Sequence, residues 1–548
     1  MKVSEYIINF LIKNDMTTVF AVTGGAIAPL IDAASKKIRV IFFQHEQAAA
    51  MACEGFFRET GKIGVVMVTS GPGIQNAYNG ICGCWYDGIP AIFISGQVSM
   101  SESLDKLKSK PRQKGFQEMP VTESIGPFTK FCKKITDTNL KHITDIFSNA
   151  VAQMINGRPG PVLIDFPVNI QMSTIHNITE IVQTISESKK PLVVYGMGMR
   201  YAESDRLNIP FVTSWAAKDL FPHDDPFNIG SIGIYGAREA NFAVQNCDCL
   251  IILGSRLDTR QTGYTRKFSN QSKKIMVDID ENEIEKLNES GIQIDFSIVS
   301  DLKTFMSILP PIEWSNQEWM NTLNNWKVKY AHPKKGVYTF LSSINFPCNT
   351  TIIPDTGGNV SWAMQSIDIR KGQRMYTNLG NSSMGFSLPC SIGAAFSDPT
   401  RVITCIIGDG GLQMNIQELK TVVDYNLNIK ILVINNNGYG IIKQFQDAYF
   451  QSNYIGTEFT RIDFCSIAKA YNMKATRVTV SDLLDSSIFS EHGPILVDII
   501  IDPNQQIYPK LEFGNSLEHM YPPVELDFIP IHDRIERNGW VNIKDNVH

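Results

Sequence analysis

Two residues stand where the chain could hold a metal ion beside a phosphate: Asp409 and Asn436. The apolar run 402–407 ends in Gly408-Asp409-Gly410-Gly411, after which Leu412, Ile416, Leu419 and Val423 supply the apolar face of a predicted helix. Glycines at such a turn let backbone N–H groups approach a phosphate, and a helix N-terminus favours its charge. The carboxylate of Asp409 would repel a bare phosphate, so its presence there implies a bridging cation. A second apolar run, 430–434, ends in Asn435-Asn436-Asn437-Gly438. Neighbouring parallel strands deliver both loops to one sheet edge, where α/β sheets bind ligands. Asp409, Asn436 and Gly438 can then offer oxygens to one ion, and hard oxygen ligands shared with phosphate suit octahedral Mg2+. Alone, Gly-Asp-Gly-Gly reads as a tight turn. The asparagine loop one crossover later turns the pair into a cation site.

A parallel sheet must position these loops. Short β-branched runs at 63–69, 91–95, 162–166, 192–195, 250–253, 274–278, 402–407 and 430–434 alternate with amphipathic stretches, the pattern of an α/β fold with crossover helices. At 548 residues the chain exceeds one hydrophobic core. Low-structure joints at 184–191 and 309–315 divide it into three expected α/β domains, 1–172, 186–310 and 335–548. The first and third repeat one another. Thr-Gly-Gly begins at Thr23 and Thr356, and a Gly-Pro-apolar-apolar-apolar-Asp strand at Gly160 and Gly493, both 333 residues apart. Glycine turns at 69–73 and 407–411 fall between them, and 92–95 matches 432–435 at an offset of 340. The first and third domains should share a topology, with a middle domain of another kind.

Composition removes several function classes. The chain is 43% hydrophobic and 19% charged, as ordinary globular proteins are. A net charge of -5 and an isoelectric point near 6.0 leave no footprint for nucleic acid. No apolar run approaches the roughly 20 residues of a membrane span. The N-terminal stretch mixes charged and apolar residues at helical spacing, unlike a signal peptide. Ten cysteines are scattered, with close pairs only at Cys82/Cys84 and Cys247/Cys249, neither at zinc-knuckle spacing. A cytoplasmic protein with reduced core thiols is expected.

The segment GDGGLQMNIQELKTVVDYNLNIKILVINNNG resembles the diphosphate–Mg2+ motif of thiamine-diphosphate (ThDP) enzymes, and its LQMNIQEL part is most similar to the acetolactate synthase branch. HEQAAAMACEGF, SGPGIQNAYNGICGCWYDGIPAIFISGQ, GFQE, GRPGPVLIDFP and NLGNSSMGFSLPCSIGAA follow in family order, so the resemblance covers nearly the whole chain. It implies a pyrimidine-binding first domain and a diphosphate-binding third. It also implies that Glu46 is the carboxylate that hydrogen-bonds N1′ of the aminopyrimidine and promotes loss of the thiazolium C2 proton. Read alone, Glu46 is a solvated charge at a strand end. By the same resemblance Pro72, Asn76, Gly24 and Gly25 lie at the cofactor, and Met384 props its bent conformation. Gly358, Asn359, Gly408, Asp409, Gly410, Gly411, Asn436 and Tyr439 fall around the diphosphate, with Asn359 in place of a common histidine. Alone, these are turns, helix starts and a core methionine. Family members assemble the site across two subunits, which implies a homo-oligomer, dimer or tetramer.

The pyruvate decarboxylase branch uses a His-His pair, and this chain has none. The corresponding stretch, Gly115-Phe116-Gln117-Glu118, is similar to acetolactate synthase. There Phe116 and Gln117 would turn the activated two-carbon unit of pyruvate toward a second carbonyl rather than a proton; read alone, Phe116 is core packing. Arg260, in GSRLDTRQTG, takes the place of an arginine proposed to hold the acceptor's carboxylate, a task suited to a planar guanidinium. It could instead pair with Asp258 or a neighbour. The implied function is a carboligase that decarboxylates pyruvate and passes an acetyl unit to a ketone.

Three departures border the acceptor entrance. Phe445 replaces a family tryptophan, Val168 a lysine, and YPKLEFGNSLEHMYPPVEL an unlike C-terminal lid. The runner-up is therefore two-carbon transfer to a nucleotide-activated keto-sugar in surface-polysaccharide biosynthesis. The middle domain resembles the FAD-binding domain of acetolactate synthase at Gly196-Met197-Gly198, Gly254-Ser255-Arg256 and Asp278-Ile279-Asp280, although segment 198–208 is shorter than the family helix. Such glycine turns also suit any Rossmann-like domain. FAD, if bound, would be structural, because the reaction has no net redox change. Rival classes are a dinucleotide oxidoreductase resting on the middle domain and a non-catalytic ThDP-binding sensor.

Overall fold

The computed structural model describes residues 2–107, 111–136, 143–173, 178–332 and 334–528, so the end of the third expected domain lies outside the described residues. Two compact units divide the chain, Met1–Asn177 and Ile178–His548. In the first, β1 (Thr18–Ala21), β2 (Arg39–Phe42), β3 (Val65–Val68), β4 (Ile92–Gln97), β5 (Phe131–Lys134) and β6 (Val162–Pro167) form one parallel sheet in the order β2-β1-β3-β4-β6-β5. Strands β1, β3, β4 and β6 are buried on both faces, which is why they read as continuous apolar runs rather than alternating ones. Helices Glu46–Thr60 and Pro72–Asp87 cross so closely that a Cβ at Gly80 would lie 2.4 Å from Cβ of Ala50.

The second unit carries two sheets. Strands β7 (Pro191–Tyr195), β8 (Phe211–Thr213), β9 (Asn228–Ser231), β10 (Cys249–Leu253), β11 (Lys273–Asp278) and β12 (Phe296–Val299) pair in the order β12-β11-β10-β7-β8-β9, the two halves of a Rossmann-like winding. Strands β13 (Thr350–Pro354), β14 (Arg374–Met375), β15 (Val402–Gly408), β16 (Ile429–Asn435), β17 (Lys474–Thr479) and β18 (Ile495–Ile500) take the order β14-β13-β15-β16-β18-β17. A hairpin of β19 (Lys510–Leu511) and β20 (Met520–Tyr521) follows. The third sheet repeats the strand order of the first, as the sequence repeat predicts, and the middle sheet differs.

Three expectations need correction. In the sheets Gln97 pairs with Pro167 and Asn435 with Ile500, so Gln97 corresponds to Asn435 at an offset of 338, not 340. A slip of two keeps every side chain on its own face, so the apolar pattern could not detect it. The joint at 184–191 is partly helical, because Ile178–Glu187 is a helix that buries Ile181 and Ile185 against the middle sheet. The stretch 309–315 is without helix or strand, as predicted. The helix after Gly408 is broken into Asp409–Met414, a 3-10 turn Ile416–Glu418 and Leu419–Asp424. Asn415 interrupts it and donates to the carbonyl of Gly385 at 3.0 Å. Leu412, Leu419 and Val422 are buried in consequence, and Ile416 and Val423 only partly so.

Among the described residues no helix is long and apolar enough to cross a membrane. All ten cysteines are free thiols, and burial pushes Cys84, Cys132 and Cys405 up to about 12.

Candidate active site

In an open parallel sheet, ligands bind beyond the carboxyl ends of two adjacent strands whose connections leave in opposite directions. The three sheets place that switch between β1 and β3, between β7 and β10, and between β13 and β15. The glycine-rich turns singled out above all lie there.

At the first switch, Glu46 opens its helix just past β2, and the Asn76 amide donates to Oε2 of Glu46 at 2.9 Å. The turns around Glu46 are tight. A Cβ at Gly24 would lie 2.5 Å from Cβ of Thr69, and one at Gly73 would reach 2.8 Å from Cγ2 of Thr69 and 3.5 Å from Oε1 of Glu46. Gly25 faces open space. Gly71 has φ +59 and would drive a Cβ to 2.8 Å from the Gln117 carbonyl, so the 115–118 loop sits on this same turn. Gln117 itself has φ +63, a left-handed conformation that costs a non-glycine residue about 1 kcal/mol. The structure thus brings Glu46, Pro72, Asn76, Gly24 and Gln117 to one sheet edge. Phe116 is 85% exposed, which removes the core-packing reading.

What holds that loop is Glu118. Its carboxylate accepts the N–H groups of Leu104 at 2.6 Å and of Lys114 and Gly115 at 3.2 Å. Burial works to raise this carboxyl, but the N–H groups of Leu104, Gly115 and Lys114 outweigh it and hold the pKa below the usual range.

At the third switch, Asp409 is buried and receives the N–H groups of Gly410 at 2.7 Å, Asn436 at 3.1 Å and Gly438 at 3.2 Å. Burial nevertheless pushes its carboxyl up to about 6. Met384, Gly358, Asn359, Gly408, Gly411 and Tyr439 line one cavity of about 330 Å³ with Asp409 and Asn436. Asn359 donates to the Thr356 carbonyl at 3.2 Å, while its Oδ1 is buried without a partner. A Cβ at Gly408 would lie 2.7 Å from Nδ2 of Asn359, and one at Gly410 would lie 2.4 Å from Cε1 of Tyr439. A buried carboxylate, an orphaned amide oxygen and glycine walls fit a divalent cation with its phosphates.

Asp355, at the end of β13, organises this cavity. Its carboxylate accepts Gly385 N–H at 3.0 Å and Ser387 N–H at 3.2 Å, which fixes the loop presenting Met384. The repeat contains the clue, for it aligns Asp355 with Val22 and so puts a charge where packing needs none. A separate cluster, Asp463, Cys465 and Asp498, has the makings of a metal site, but Arg477 already pairs with Asp498 at 2.9 Å and Asp463 at 2.7 Å.

Arg260 does not pair with Asp258; Arg256 does, at 3.5 Å. Asp258 instead caps the short helix Thr259–Thr262 through the backbone N–H of Arg260. The Arg260 guanidinium donates to the neutral Leu379 carbonyl at 3.2 Å and keeps its charge available. It lines a cavity of about 630 Å³ with Phe445, which is 43% exposed, and with Tyr264, Tyr449 and Phe513. One wall is the hairpin segment, fastened to the middle domain where Leu511 N–H meets the Ile234 carbonyl at 2.7 Å and Gln245 meets Glu518 at 2.6 Å.

At the middle switch, Met197, Ser214, Arg256 and Asp278 line a cavity of about 520 Å³. The turns that flank it touch, since a Cβ at Gly196 would lie 2.1 Å from the Gly254 carbonyl. The crossover from β7 carries only the 3-10 stretch Met197–Tyr201, as its short length predicts. A carboxylate for ribose hydroxyls and an arginine for phosphates fit a dinucleotide.

Comparison with known proteins agrees with this geometry. Residues 1–124 match the thiamine pyrophosphate enzyme N-terminal TPP binding domain, 178–309 the central domain of those enzymes, and 355–499 their C-terminal TPP binding domain. The acetolactate synthase large subunit of Cyanidium caldarium is 31% identical, over 94% of this chain and 95% of that protein. The large subunit of acetolactate synthase isozyme 2 from Escherichia coli K12 is 30% identical, over 95% and 99%. Chloroplastic acetolactate synthase 1 of Nicotiana tabacum is 30% identical, over 94% and 84%. The chain belongs to the thiamine pyrophosphate enzymes, and is a ThDP-dependent, acetolactate synthase-like enzyme of pyruvate decarboxylation and carbon–carbon ligation.

Proposed function

We propose that Mg2+, held by Asp409, Asn436 and the Gly438 backbone, fixes the ThDP diphosphate, and that Glu46 hydrogen-bonds the aminopyrimidine. The observation that carries this reading is that buried Asp409, Asn436 and Asn359, whose Oδ1 has no partner, line one glycine-walled cavity. ThDP supplies an electron sink, and the protein supplies position and electrostatics. Asn76 orients the Glu46 carboxylate, and Met384 sets the cofactor's bend. The C1–C2 bond of pyruvate breaks and CO2 leaves. The electron pair kept at C2 then forms a bond to the acceptor's carbonyl carbon, whose oxygen takes a proton. Gln117 and Phe116 steer that capture, and Arg260 holds the acceptor.

FAD in the middle cavity serves as a structural element, and the enzyme works in the cytoplasm as a homo-oligomer, dimer or tetramer. Mixing Glu46→Gln and Asp409→Ala chains tests sharing of the site between subunits, since recovered activity requires two chains to complete one site. A second reading, a bulkier acceptor such as a nucleotide-activated keto-sugar of carbohydrate biosynthesis, is favoured by the half-open Phe445 beside Arg260 in a cavity of about 630 Å³.

The test is CO2 release from pyruvate with ThDP and Mg2+, with products analysed by mass, for the native chain and Glu46→Gln. Acetolactate from pyruvate alone, lost in Glu46→Gln, supports a keto-acid acceptor. Release only on adding a keto-sugar nucleotide supports the second reading. Tight ThDP binding without decarboxylation under either condition sinks both.

A further inference from the structure

Residues 113–119 form neither helix nor strand, so their own backbone pattern does not fix Phe116 and Gln117. Gln117 also holds a conformation that the chain would leave if released. Its φ is +63, and its carbonyl lies where a Cβ at Gly71 would come within 2.8 Å. Two residues beyond Gly71, a Cβ at Gly73 would lie 3.5 Å from Oε1 of Glu46. A shift of Gln117 is therefore a shift on the turn that leads to Glu46.

Glu118 is the fastening. Its Oε2 takes the N–H groups of Lys114 and Gly115, which precede the tip, and so closes a ring around Phe116 and Gln117. Its Oε1 takes Leu104 N–H at 2.6 Å and ties that ring to the turn 100–105. Loop and turn touch there, since a Cβ at Gly115 would lie 2.9 Å from the Glu102 carbonyl. The turn is anchored in its own right. Met100 N–H meets Oδ1 of Asn169 at 3.0 Å, and Lys134, at the end of β5, reaches Ser103 at 3.0 Å and Asp105 at 2.8 Å. From the end of β4, Gln97 donates to the Met119 carbonyl at 2.9 Å. Only an ionised carboxylate accepts on both oxygens, and N–H bonds to a charged acceptor are the strong ones.

Once CO2 has left pyruvate, two outcomes compete for the electron pair at C2. It forms a bond to the acceptor's carbonyl carbon, or it takes a proton from water; in the second case pyruvate and one proton give acetaldehyde and CO2. We propose that Glu118 is the positioning residue that decides between them, by holding Phe116 and Gln117 where the acceptor is met before water. It acts through the backbone of those two residues and not on the reacting atoms. The inference rests on the steering role given to Phe116 and Gln117 above.

The experiment is pyruvate turnover by the holoenzyme, supplied with ThDP, Mg2+ and FAD, with CO2, acetaldehyde and ligation product all measured. The acceptor is pyruvate itself or, if that supports no ligation, a keto-sugar nucleotide. Glu118→Gln keeps the side chain's size but turns one acceptor into an NH2 group facing N–H donors. It should leave CO2 release within about threefold of native while the acetaldehyde share rises about tenfold or more, the scale of effect that a small misplacement has. Leu104→Pro removes the 2.6 Å donor and spares Glu118, at the first position of the 3-10 turn Leu104–Lys106, which proline suits. It should raise the share in the same direction, so the test stands even if Glu118→Gln fails to fold. A share raised by Gln117→Ala but unmoved by Glu118→Gln and Leu104→Pro overturns the proposal alone. A share unmoved by Gln117→Ala as well removes the steering role and the proposal with it. CO2 release and ligation falling together at constant share would show a merely structural carboxylate, and overturn it too.

Discussion

The first and third sheets have one strand order and opposite chemistry at their carboxyl edges. On the first, Glu46 takes one amide hydrogen bond, from Asn76, and in the function proposed above it meets a neutral ring nitrogen. On the third, Asp409 is deeply buried and takes three backbone N–H groups, and in the function proposed above it meets a positive ion. Beneath the edges the sheets diverge again. Asp165 on β6 and Asp498 on β18 occupy equivalent buried positions, each meeting an amide from the neighbouring strand, Gln97 at 3.1 Å and Asn435 at 2.9 Å. Only Asp498 has an ion-pair partner, Arg477 at 2.9 Å, and burial lifts Asp165 to about 6 despite Ser95 and Gln97. Equivalent to Ile92 in the first sheet is Lys430 in the third, fully buried and bonded to the carbonyls of Glu491 at 2.7 Å and Gly493 at 2.6 Å. One backbone arrangement has thus been loaded with buried charged groups mainly in the third sheet.

The largest effects separate the two edges. Glu46→Gln should cut turnover by about 100-fold or more while leaving ThDP–Mg2+ affinity nearly unchanged. Asp409→Asn should do the reverse, weakening Mg2+-dependent cofactor binding by about 100-fold. Cofactor titrations followed by single-turnover assays distinguish them, and a swap of the two phenotypes would dissolve the assignment of roles.

Next comes the buried lysine. Burial pulls Lys430 down from 10.5 to about 8. Between those pH values the unfolded chain holds one more proton than the native one, so native stability rises with pH across this window. The native protein should gain about 3 kcal/mol there relative to Lys430→Met, which has no such group. Urea unfolding of both proteins at pH 7.5 and about pH 10 measures it, and parallel curves would show that Lys430 does not titrate.

Smaller still is the aspartate pair. Asp498→Asn should destabilise by about 2 kcal/mol, since it strips Arg477 of its buried partner. Asp165→Asn should change stability by less than about 1 kcal/mol at pH 7, because the lost hydrogen bonds are offset by removing a buried charge. Equal losses in thermal unfolding would mean that the two sites are energetically alike.

Much of this fold was legible because it is written in short-range features. Doubly buried strands give continuous apolar runs, and switch-point loops need glycine, so the repeat at Thr23 and Thr356 and the meeting of Asp409 with the Asn436 loop could be read directly. The positioning residues were harder. Glu118 and Asp355 work through backbone N–H groups of loops whose paths a sequence does not display. Asn415 breaks a helix through Gly385, 30 residues away in the chain. Gln245 and Glu518 meet across 273 residues, a pairing with no local signature.

The wall that faces Phe445 carries a consequence for engineering. Tyr235 is a mechanical joint: its carbonyl takes one bond from Gln365 at 3.0 Å, and the same amide nitrogen reaches Pro509 at 3.0 Å just before the hairpin. A single glutamine thus rivets the lever that carries the hairpin to the block that carries the Asp409 and Asn436 loops. Laboratory selection for a new acceptor should accumulate changes at Gln365, which is not among the residues that line the chamber, because loosening that rivet resizes the chamber without touching its lining.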